Sequence, residues 1–285
     1  MSSDKLGKKI DIAKTNITEN LGYFRCPLCK EDFSEIKDYS MICHQGHNFN
    51  INKKGYVHLL THPHKTIYDQ SLFHSRQFVY EAGVYDPFIK EMRKIIQKFD
   101  MKGPILDAGC GEGYFLNNIG HDFSSIGIDI SKEGIVIAAQ TNLKTIWAVG
   151  DLANLPVADH HIGTLLNILT PANYEEFKRT LQPTGYLVKV IPGEGYLKEI
   201  RSLLEGKIKN SAHSTGEVIE KFSNNFKLIH KSDIKYTVVM NDLLWSHTIK
   251  MTPLTSSLSI ETLNDLEKNP PKSLTIELSI LLGTV

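Results

Sequence analysis

The sequence lacks any apolar run long enough to span a bilayer. Its first 20 residues include four lysines but lack the apolar stretch of a secretion signal. The formal net charge is zero, so no field of the whole molecule attracts nucleic acid, and any basic surface must be local. These absences argue against a membrane-spanning or secreted chain and predict a cytoplasmic protein.

Cysteine is scarce, and its placement is uneven. Three of the four cysteines fall between Cys26 and Cys43, and His47 follows four residues later. The Cys-Pro-Leu-Cys knuckle at 26–29 brings two sulfurs towards one point, and Cys43 with His47 can supply the other corners of a tetrahedron. The pattern predicts a zinc site; the alternative is a set of buried free thiols. His44 could compete, but adjacent residues rarely both reach one metal.

The most informative motif is a glycine-rich segment. Residues 105–113 read Ile-Leu-Asp-Ala-Gly-Cys-Gly-Glu-Gly, an apolar run that reaches Asp107 and then has glycine at every second position. A buried strand that ends at Gly109, Gly111 and Gly113 lets the backbone turn tightly and approach a ligand without interference from Cβ atoms. The motif predicts a small-molecule site, although such glycines can also simply turn a chain.

Two further apolar runs end in a carboxylate. Residues 125–129 follow the glycine segment at the spacing at which such folds place an acid on ribose hydroxyls. Residues 145–151 repeat the pattern, and Leu152 follows them. A dinucleotide site fits less well, because Glu112 in the loop would repel a pyrophosphate. The carboxyl ends of three consecutive strands are thus predicted to carry Asp107, Asp129 and Asp151.

These motifs resemble class I S-adenosylmethionine-dependent methyltransferases. The resemblance implies that the glycine loop lies under the methionine part, that Asp129 holds the ribose, and that Asp151 lies at the adenine edge. It also implies a Rossmann-like α/β fold, with a seven-stranded, mostly parallel sheet and an antiparallel edge at the end. The implied cofactor-binding residues are Asp107, Gly109, Gly111, Glu112, Gly113, Asp129, Asp151 and Leu152.

Hydrophobic periodicity and turn residues divide the rest of the chain. Strands are predicted near 162–169, 186–191, 234–240 and 274–282, and helices near 173–181, 194–206 and 216–222. Residues 67–97 are predicted to be helical, with a break at Gly83 and a second helix starting at Asp86-Pro87. The predicted units are a tail over 1–20, a zinc module over 21–62, a helical linker or lid over 63–100 and a methyltransferase domain over 101–285.

Taken in chain order, the motifs resemble a narrower family. The zinc knuckle, Lys-x-Gly-Tyr-Val-x-Leu-Leu at 53–60, Ala-Gly-x-Tyr-x-Pro within 76–88 and Met-Thr-Pro at 251–253 are similar to the bacterial 23S ribosomal RNA guanine-N1 methyltransferases of the RlmA family. The resemblance covers nearly the whole chain from about residue 22. It implies methylation of a guanine in a 23S rRNA hairpin near the peptide exit tunnel, an RNA-reading zinc module and a homodimer. One type of member confers resistance to macrolides such as tylosin.

The same resemblance assigns individual residues. A tyrosine that contacts the cofactor in the family matches Tyr85. A cofactor-site histidine aligns with Tyr196, so here the place is kept while the side chain differs. The usual Lys-Pro-Gly-Gly turn before the fifth strand has become Gln-Pro-Thr-Gly at 182–185, which alters the turn rather than the fold. The implied zinc ligands are Cys26, Cys29, Cys43 and His47.

The acceptor site is expected in the loop after the fourth strand, at residues 167–173, where class I enzymes hold the acceptor. Asn167 could hydrogen-bond the base edge, with Pro171 shaping the pocket, or Asn167 could merely cap the strand. Guanine N1 is paired in a duplex, so the target base must be unpaired or flipped out. No general base can be named from the sequence.

Basic and aromatic side chains are mixed around the zinc module, an arrangement that suits phosphates and unpaired bases. Acidic residues offset these charges, so charge alone leaves RNA binding open. Two alternatives remain: a class I methyltransferase of a small molecule or protein, in which zinc only holds the amino end, and a non-catalytic RNA-binding protein that retains the fold. The candidate RNA-facing residues are Arg25, Lys30, Lys37, Lys53, Lys54, Lys65, Tyr23, Phe24, Phe49, Tyr56, His58, His62 and His64, although Phe49 is expected to pack in the core of the module.

Overall fold

A computed structural model describes residues 8–63, 70–120, 122–204, 215–256 and 258–285. Within these ranges the helices are α1 (Lys9–Glu19), α2 (Gln70–Glu81), α3 (Asp86–Lys98), α4 (Tyr114–Asn118), α5 (Lys132–Thr141), α6 (Tyr174–Thr180), α7 (Lys198–Leu203), α8 (Thr215–Ser223), α9 (Asp242–Met251) and α10 (Ile260–Glu267). The strands are β1 (Phe33–Lys37), β2 (Ser40–Cys43), β3 (Asn48–Asn50), β4 (Tyr56–His58), β5 (Ile105–Ala108), β6 (Ser125–Asp129), β7 (Ile146–Val149), β8 (Ile162–Ile168), β9 (Leu181–Pro192), β10 (Lys227–Val239) and β11 (Ser273–Thr284).

The main sheet has eight strands in the order β10-β11-β9-β8-β5-β6-β7-β4. The strands from β9 to β4 run parallel, and β11 is antiparallel to both β9 and β10. The Rossmann-like α/β class and its antiparallel edge are therefore confirmed. Strands β1 to β3 form a separate antiparallel sheet.

The predicted count of seven strands in the main sheet is wrong by one. The additional strand is β4, which comes from the predicted zinc module and pairs in parallel with β7. The backbone N–H of Leu59 extends this pairing by donating to the carbonyl of Val149 at 2.8 Å. Without β4, β7 would be an edge strand with unpaired backbone groups. Pairing with β4, a three-residue segment that is distant in sequence, satisfies those groups.

Several elements differ in extent from the prediction. The predicted turn at 182–185 lies inside β9 as a bulge, because Ile162 pairs with Leu181 whereas Thr164 pairs with Tyr186. The predicted helical stretch at 67–97 is divided into α2 and α3 as expected, with Gly83 at φ +76° between them. Residues 64–69 and 205–214 hold parts of two predicted helices and lie outside the described residues. Helix α1 occupies the predicted tail.

Both faces of the main sheet are covered by apolar side chains. Helices α3, α5 and α9 cover one face. The other face packs against α1, α6, α8 and the zinc module, whose Phe24 and Met41 join the same cluster as Leu106 and Ile128. The amino-terminal module therefore completes the hydrophobic core of that face. Within the described residues, no helix combines the length and apolarity that crossing a membrane requires.

Trp147 of β7 supports both the core and the glycine loop, and its truncation tests this packing. The indole is 1% exposed, and its Nε1 donates to the carbonyl of Asn142 at 2.8 Å. We expect Trp147→Ala to lower the free energy of unfolding by about 3–5 kcal/mol, because the cavity left behind cannot fully close. Urea denaturation measures this.

Leu243→Ala is the control for that experiment, at a side chain that is 58% exposed. It should change the free energy of unfolding by less than about 0.5 kcal/mol. A loss for Trp147→Ala no larger than that of the control would contradict the packing described here.

Candidate cofactor and zinc sites

The glycine loop runs from the end of β5 to the start of α4. Gly109 has φ +89° and Gly113 has φ +77°, a conformation that L side chains rarely adopt. A Cβ atom at Gly109 would lie 2.5 Å from Thr170, and one at Gly113 would overlap the ring of Trp147. Both positions therefore require glycine, and the loop backbone is held against the ends of the neighbouring strands.

Asp129, at the end of β6, fixes this loop. Its Oδ2 accepts a hydrogen bond from the backbone N–H of Gly111 at 2.8 Å, and its Oδ1 accepts one from Ser131 at 2.7 Å. Burial raises the pKa of Asp129, whereas the two backbone N–H groups favour the ionised form. Each carboxylate oxygen can still accept a further donor.

Two cavities flank the loop, and Asp129 lines both. The first cavity, of about 310 Å³, lies between the loop, α2, α7 and residues 251–254. The second cavity, of about 690 Å³, lies at the ends of β6, β7 and β8. Gly109, Asp129 and Thr170 line both.

The structure brings most of the predicted cofactor residues to these two cavities. The first is lined by Tyr85, Gly109, Gly111, Glu112, Asp129 and Tyr196. The second is lined by Gly109, Asp129, Asp151 and Leu152. Asp107 and Gly113 line neither cavity; Asp107 is buried in β5, and Gly113 precedes α4.

The first cavity contains charged groups with hydrogen-bonding capacity to spare. Glu112 Oε2 accepts from Arg76 Nη1 at 3.2 Å. Within the part of the chain that the structure describes, Glu112 Oε1 and Arg201 Nε are buried without a hydrogen-bond partner. Burial raises the pKa of Glu112, and the Arg76 guanidinium opposes that rise. An orphaned acceptor and an orphaned donor on one cavity fit the ammonium and carboxylate of an amino acid.

Tyr85 and Tyr196 are neighbours in the lining of the same cavity. Their hydroxyl groups are 2.7 Å apart and share one hydrogen bond, in which either can donate. Burial raises the pKa of both phenols, so both remain protonated at neutral pH. Tyr196 therefore lines the first cavity, with its hydroxyl hydrogen-bonded to that of Tyr85.

The four predicted zinc ligands lie together in the amino-terminal module. The Sγ atoms of Cys29 and Cys43 are 3.6 Å apart, and His47 Nδ1 lies 3.4 Å from Cys43 Sγ and 3.6 Å from Cys26 Sγ. Tetrahedral zinc, with Zn–S of about 2.3 Å and Zn–N of about 2.0 Å, requires separations of roughly 3.5–3.8 Å between donors. The set of ligand atoms therefore fits zinc, and His47 rather than His44 completes it.

Backbone geometry explains how these residues converge. Lys30 adopts φ +69° after the first knuckle, and its N–H donates to the carbonyl of Cys26 at 2.9 Å. Gly46 adopts φ +79° in the second knuckle, and its N–H donates to the carbonyl of Cys43 at 2.8 Å. The two turns aim all four side chains at one point.

Ion pairs hold the zinc module against the rest of the protein. Arg25 lies 3.3 Å from Asp159 and 3.5 Å from Glu176. Arg179 binds the same two carboxylates, at 2.6 Å and 2.8 Å. These side chains, apart from Asp159, are largely buried, so they are screened less than surface pairs.

A second contact joins the zinc knuckle to the wall of the second cavity. The carbonyl of Pro27 accepts hydrogen bonds from Asn154 Nδ2 at 3.0 Å and from Lys30 Nζ at 3.2 Å. Lys30 Nζ also donates to Asn154 Oδ1. Asn154 belongs to the same turn as Asp151, whose carbonyl accepts from the Asn154 N–H at 3.1 Å. The turn between Cys26 and Lys30 thus supports the loop that carries Asp151 and Leu152.

Comparison with known proteins covers both regions. The zinc-ribbon family described as the amino-terminal part of RlmA matches residues 24–66, and a methyltransferase-domain family matches residues 105–185. YxjB of Bacillus subtilis (strain 168), named as a candidate 23S rRNA (guanine-N1)-methyltransferase, is 33% identical over 277 residues, which cover 93% of this chain and 98% of that protein. The chain belongs to the RlmA family of methyltransferases.

A second relative has lower identity. The 23S rRNA (guanine(748)-N1)-methyltransferase of Streptomyces fradiae is 26% identical over 239 residues, covering 81% of this chain and 85% of that protein. Membership of the RlmA family and the residues described above make S-adenosylmethionine and zinc the cofactors. When bound, S-adenosylmethionine supplies a methyl group on an electrophilic sulfonium. The strand-end acids and the orphaned groups of the first cavity fit it.

In this RlmA protein the loop predicted to hold the acceptor lies at the ends of β8 and β9. A third cavity, of about 560 Å³, opens there and shares Leu169, Thr170 and Pro192 with the first. Pro171 lines this cavity. Asn167 is 0% exposed, and its Nδ2 donates to the carbonyls of Ala108 at 2.9 Å and Pro171 at 3.1 Å. This geometry favours the strand-capping role of Asn167 over a base contact.

The structure reassigns several candidate RNA-facing residues of the RlmA zinc module. Phe24 is buried, Arg25 is used in the ion pairs, and Tyr56 is buried in β4. Phe49 packs edge-on against Phe33 with ring centroids 5.8 Å apart. His64 and Lys65 lie outside the described residues. Exposed basic residues of the described module include Lys37, Lys53 and Lys54.

The site residues that were not assigned individually from the sequence include Arg76, Thr170, Lys189 and Arg201. Arg201 of α7 carries no local signal, because only the fold brings it to the first cavity, whereas Thr170 lies within the predicted acceptor loop at 167–173. Lys189 of β9 lines the third cavity. For Lys189 a signal existed, since it is a single charge within the apolar run at 186–191.

Loss of the metal should disturb the second cavity as well as the zinc module. We expect Cys29→Ser to lose bound zinc and to raise backbone hydrogen exchange at residues 151–156, because the knuckle that holds Asn154 relaxes. Metal analysis and hydrogen-exchange mass spectrometry measure the two effects. Cys110→Ser is the matched control, since Cys110 lies outside the cluster and should keep the zinc. Zinc loss with unchanged exchange at 151–156 would contradict the coupling.

Asp107 should make the stability of the ligand-free protein depend on pH. Burial raises its pKa from 3.8 to about 8, and the Asp129 carboxylate adds to the rise. Between these values the folded state keeps a proton that the unfolded chain releases, so stability is lost as pH rises towards 8. Asp107→Asn removes this titration.

The stabilisation of Asp107→Asn relative to wild type should therefore grow between pH 5 and pH 8. We expect a slope of up to about 1.4 kcal/mol per pH unit. Urea denaturation of both proteins at several pH values measures it. A difference that stays constant with pH would show that the Asp107 carboxyl is not held in its protonated form.

Proposed function

We propose that this protein transfers a methyl group from S-adenosylmethionine to N1 of a guanine in 23S rRNA. The observation that carries the proposal is the 33% identity to YxjB across 98% of that protein, because its name gives this reaction. The paired cavities at the glycine loop support it, since they offer places for both halves of the cofactor.

In this proposal the protein's own residues mainly orient the cofactor and the guanine and enclose them. Glu112 and Arg201 would hold the amino-acid end of the cofactor through the ammonium and the carboxylate. Asp129 would hold the ribose, and Asp151 with Leu152 would border the adenine. Guanine would enter the third cavity, where Pro171 and Leu169 exclude water. Alignment of the base with a methyl group that is already electrophilic then supplies most of the rate.

We further propose that the guanine lies in a hairpin loop that the zinc module reads. Guanine N1 is accessible only when the base is unpaired. Exposed Lys37, Lys53 and Lys54 on the module suit the phosphates of such a loop. On this proposal the enzyme works in the cytoplasm, as a homodimer that presents two zinc modules to RNA. Light scattering of the purified protein tests the dimer.

Primer extension on unmodified 23S rRNA tests the activity. Incubation with protein and S-adenosylmethionine should create a reverse-transcriptase stop at one guanine, because a methyl group at N1 blocks base pairing. Glu112→Gln should weaken cofactor binding by roughly 10- to 100-fold, since a charged hydrogen bond is lost. The stop should weaken accordingly at limiting cofactor.

Glu261→Gln, at an exposed carboxylate of α10, is the control and should leave both cofactor binding and the stop unchanged. Tight binding of S-adenosylmethionine without any stop would overturn the proposed substrate. It would favour a small-molecule or protein acceptor instead.

A further inference from the structure

Lys189 is a basic residue enclosed in the middle of the main sheet. It lies in β9 between two buried valines and is 5% exposed. Its neighbours in register are Asn167 on β8 and Leu281 on β11, and neither carries a charge. The titratable groups that face it across the third cavity are Tyr174 of α6 and Glu217 and Lys221 of α8.

The amine of Lys189 has a defined hydrogen-bonding geometry. Its Nζ donates to Asn167 Oδ1 at 2.5 Å and also to the backbone carbonyl of Thr170. Asn167 Nδ2 is held by the carbonyls of Ala108 and Pro171, so the amide cannot turn and Oδ1 stays directed at Lys189. A neutral amine has two N–H groups and one lone pair. With both N–H groups engaged, the lone pair is left for a group in the third cavity.

The pKa of Lys189 suits a neutral amine with these two hydrogen bonds. Burial lowers the pKa of Lys189 to about 7, and burial is the cause of the shift. A large fraction of the side chain is therefore neutral at physiological pH, although an exposed lysine would be almost fully charged there. Thr170, which accepts one N–H of Lys189, also packs on Gly109 of the cofactor loop. The amine thus lies in the third cavity beside Thr170, which lines the first cavity as well.

We propose that Lys189 is the general base that removes the N1 proton of the guanine. This inference rests on the proposed function. Attack by guanine N1 on the methyl carbon forms the nitrogen–carbon bond and breaks the carbon–sulfur bond, whose electron pair stays on sulfur. The N1 proton passes to Nζ of Lys189, and the resulting ammonium later releases it to water. Asn167 is a positioning residue, because it acts only through Lys189.

A pH–rate profile tests the role of Lys189. The wild-type rate of methyl transfer should fall about tenfold per pH unit below pH 7, where the amine is protonated. Lys189→Met should be slower by roughly 10²- to 10⁴-fold and should lose this limb of the profile. Calorimetric binding of S-adenosylmethionine to Lys189→Met should match wild type, which also shows that the variant is folded.

Two further variants separate a base from a fixed positive charge. Lys189→Arg keeps the charge but cannot lose a proton, so it should be as slow as Lys189→Met. Lys189→Ala should regain activity on addition of propylamine, and the regained rate should follow the fraction of neutral amine. If Lys189 were only a cation that holds the guanine in place, the opposite pattern would appear, and Lys189→Arg would be active. Lys231→Met, at the far edge of the sheet, is the control and should retain the wild-type profile.

A direct titration gives a readout independent of turnover. In protein labelled with 13C-lysine, the Cε resonance that disappears in Lys189→Met should titrate near pH 7. Titration above about pH 9 would overturn the proposal, as would wild-type rates in Lys189→Met or Lys189→Arg. Failure of the wild type to form N1-methylguanine would overturn the proposed function. Wild-type activity that is insensitive to Lys189 would overturn only the present inference.

Discussion

The arrangement of this protein depends on carboxyl groups that are buried at the ends of its central strands. Asp107 and Glu112 lie next to or within the glycine loop, and Asp129 is hydrogen-bonded to it. Burial raises the pKa of each of these carboxyl groups. Arg76 pairs with Glu112, and backbone N–H groups compensate Asp129, which in turn fixes the conformation of Gly111. Burial therefore favours the neutral form of Asp107, whereas Arg76 and the backbone N–H groups favour the ionised forms of Glu112 and Asp129. Among the described residues, Glu112 Oε1 and Arg201 Nε have no hydrogen-bond partner, so they are available to the ammonium and the carboxylate of S-adenosylmethionine.

The zinc module is coupled to the same site through a short path. Zinc held by Cys26 and Cys29 would fix the turn at Pro27; the carbonyl of Pro27 holds Asn154, and Asn154 closes the turn that begins at Asp151. The salt bridges of Arg25 and Arg179 hold the following residues of that loop in place. The module also donates β4 to the main sheet and apolar side chains to its core. The zinc module, for which RNA binding is proposed, is therefore connected by hydrogen bonds to the wall of the second cavity.

Patterns that are local in sequence predicted the glycine loop, the strand-end acids and the four zinc ligands. Each of these is set by spacing along one strand, turn or knuckle, which the chain itself dictates. The strand β4 and the site residue Arg201 could not be predicted, because each depends on a partner that is distant in sequence. Phe24 and Arg25 looked like RNA contacts by composition. They serve instead to dock the zinc module, a role that only the fold reveals.

Asn167 could not be assigned from the sequence because its role lies between two strands. Its amide separates the acidic ends of β5 and β6 from Lys189 on β9, contacting Ala108 on one side and the amine on the other. An aspartate at this position would hold Lys189 as an ammonium, since an adjacent carboxylate favours the charged form. Because the Asn167 amide is neutral, burial alone lowers the pKa of the Lys189 amine. The sheet therefore keeps an acidic cofactor side and a basic acceptor side one strand apart, which lets a lysine work as a base beside a site that binds a cation.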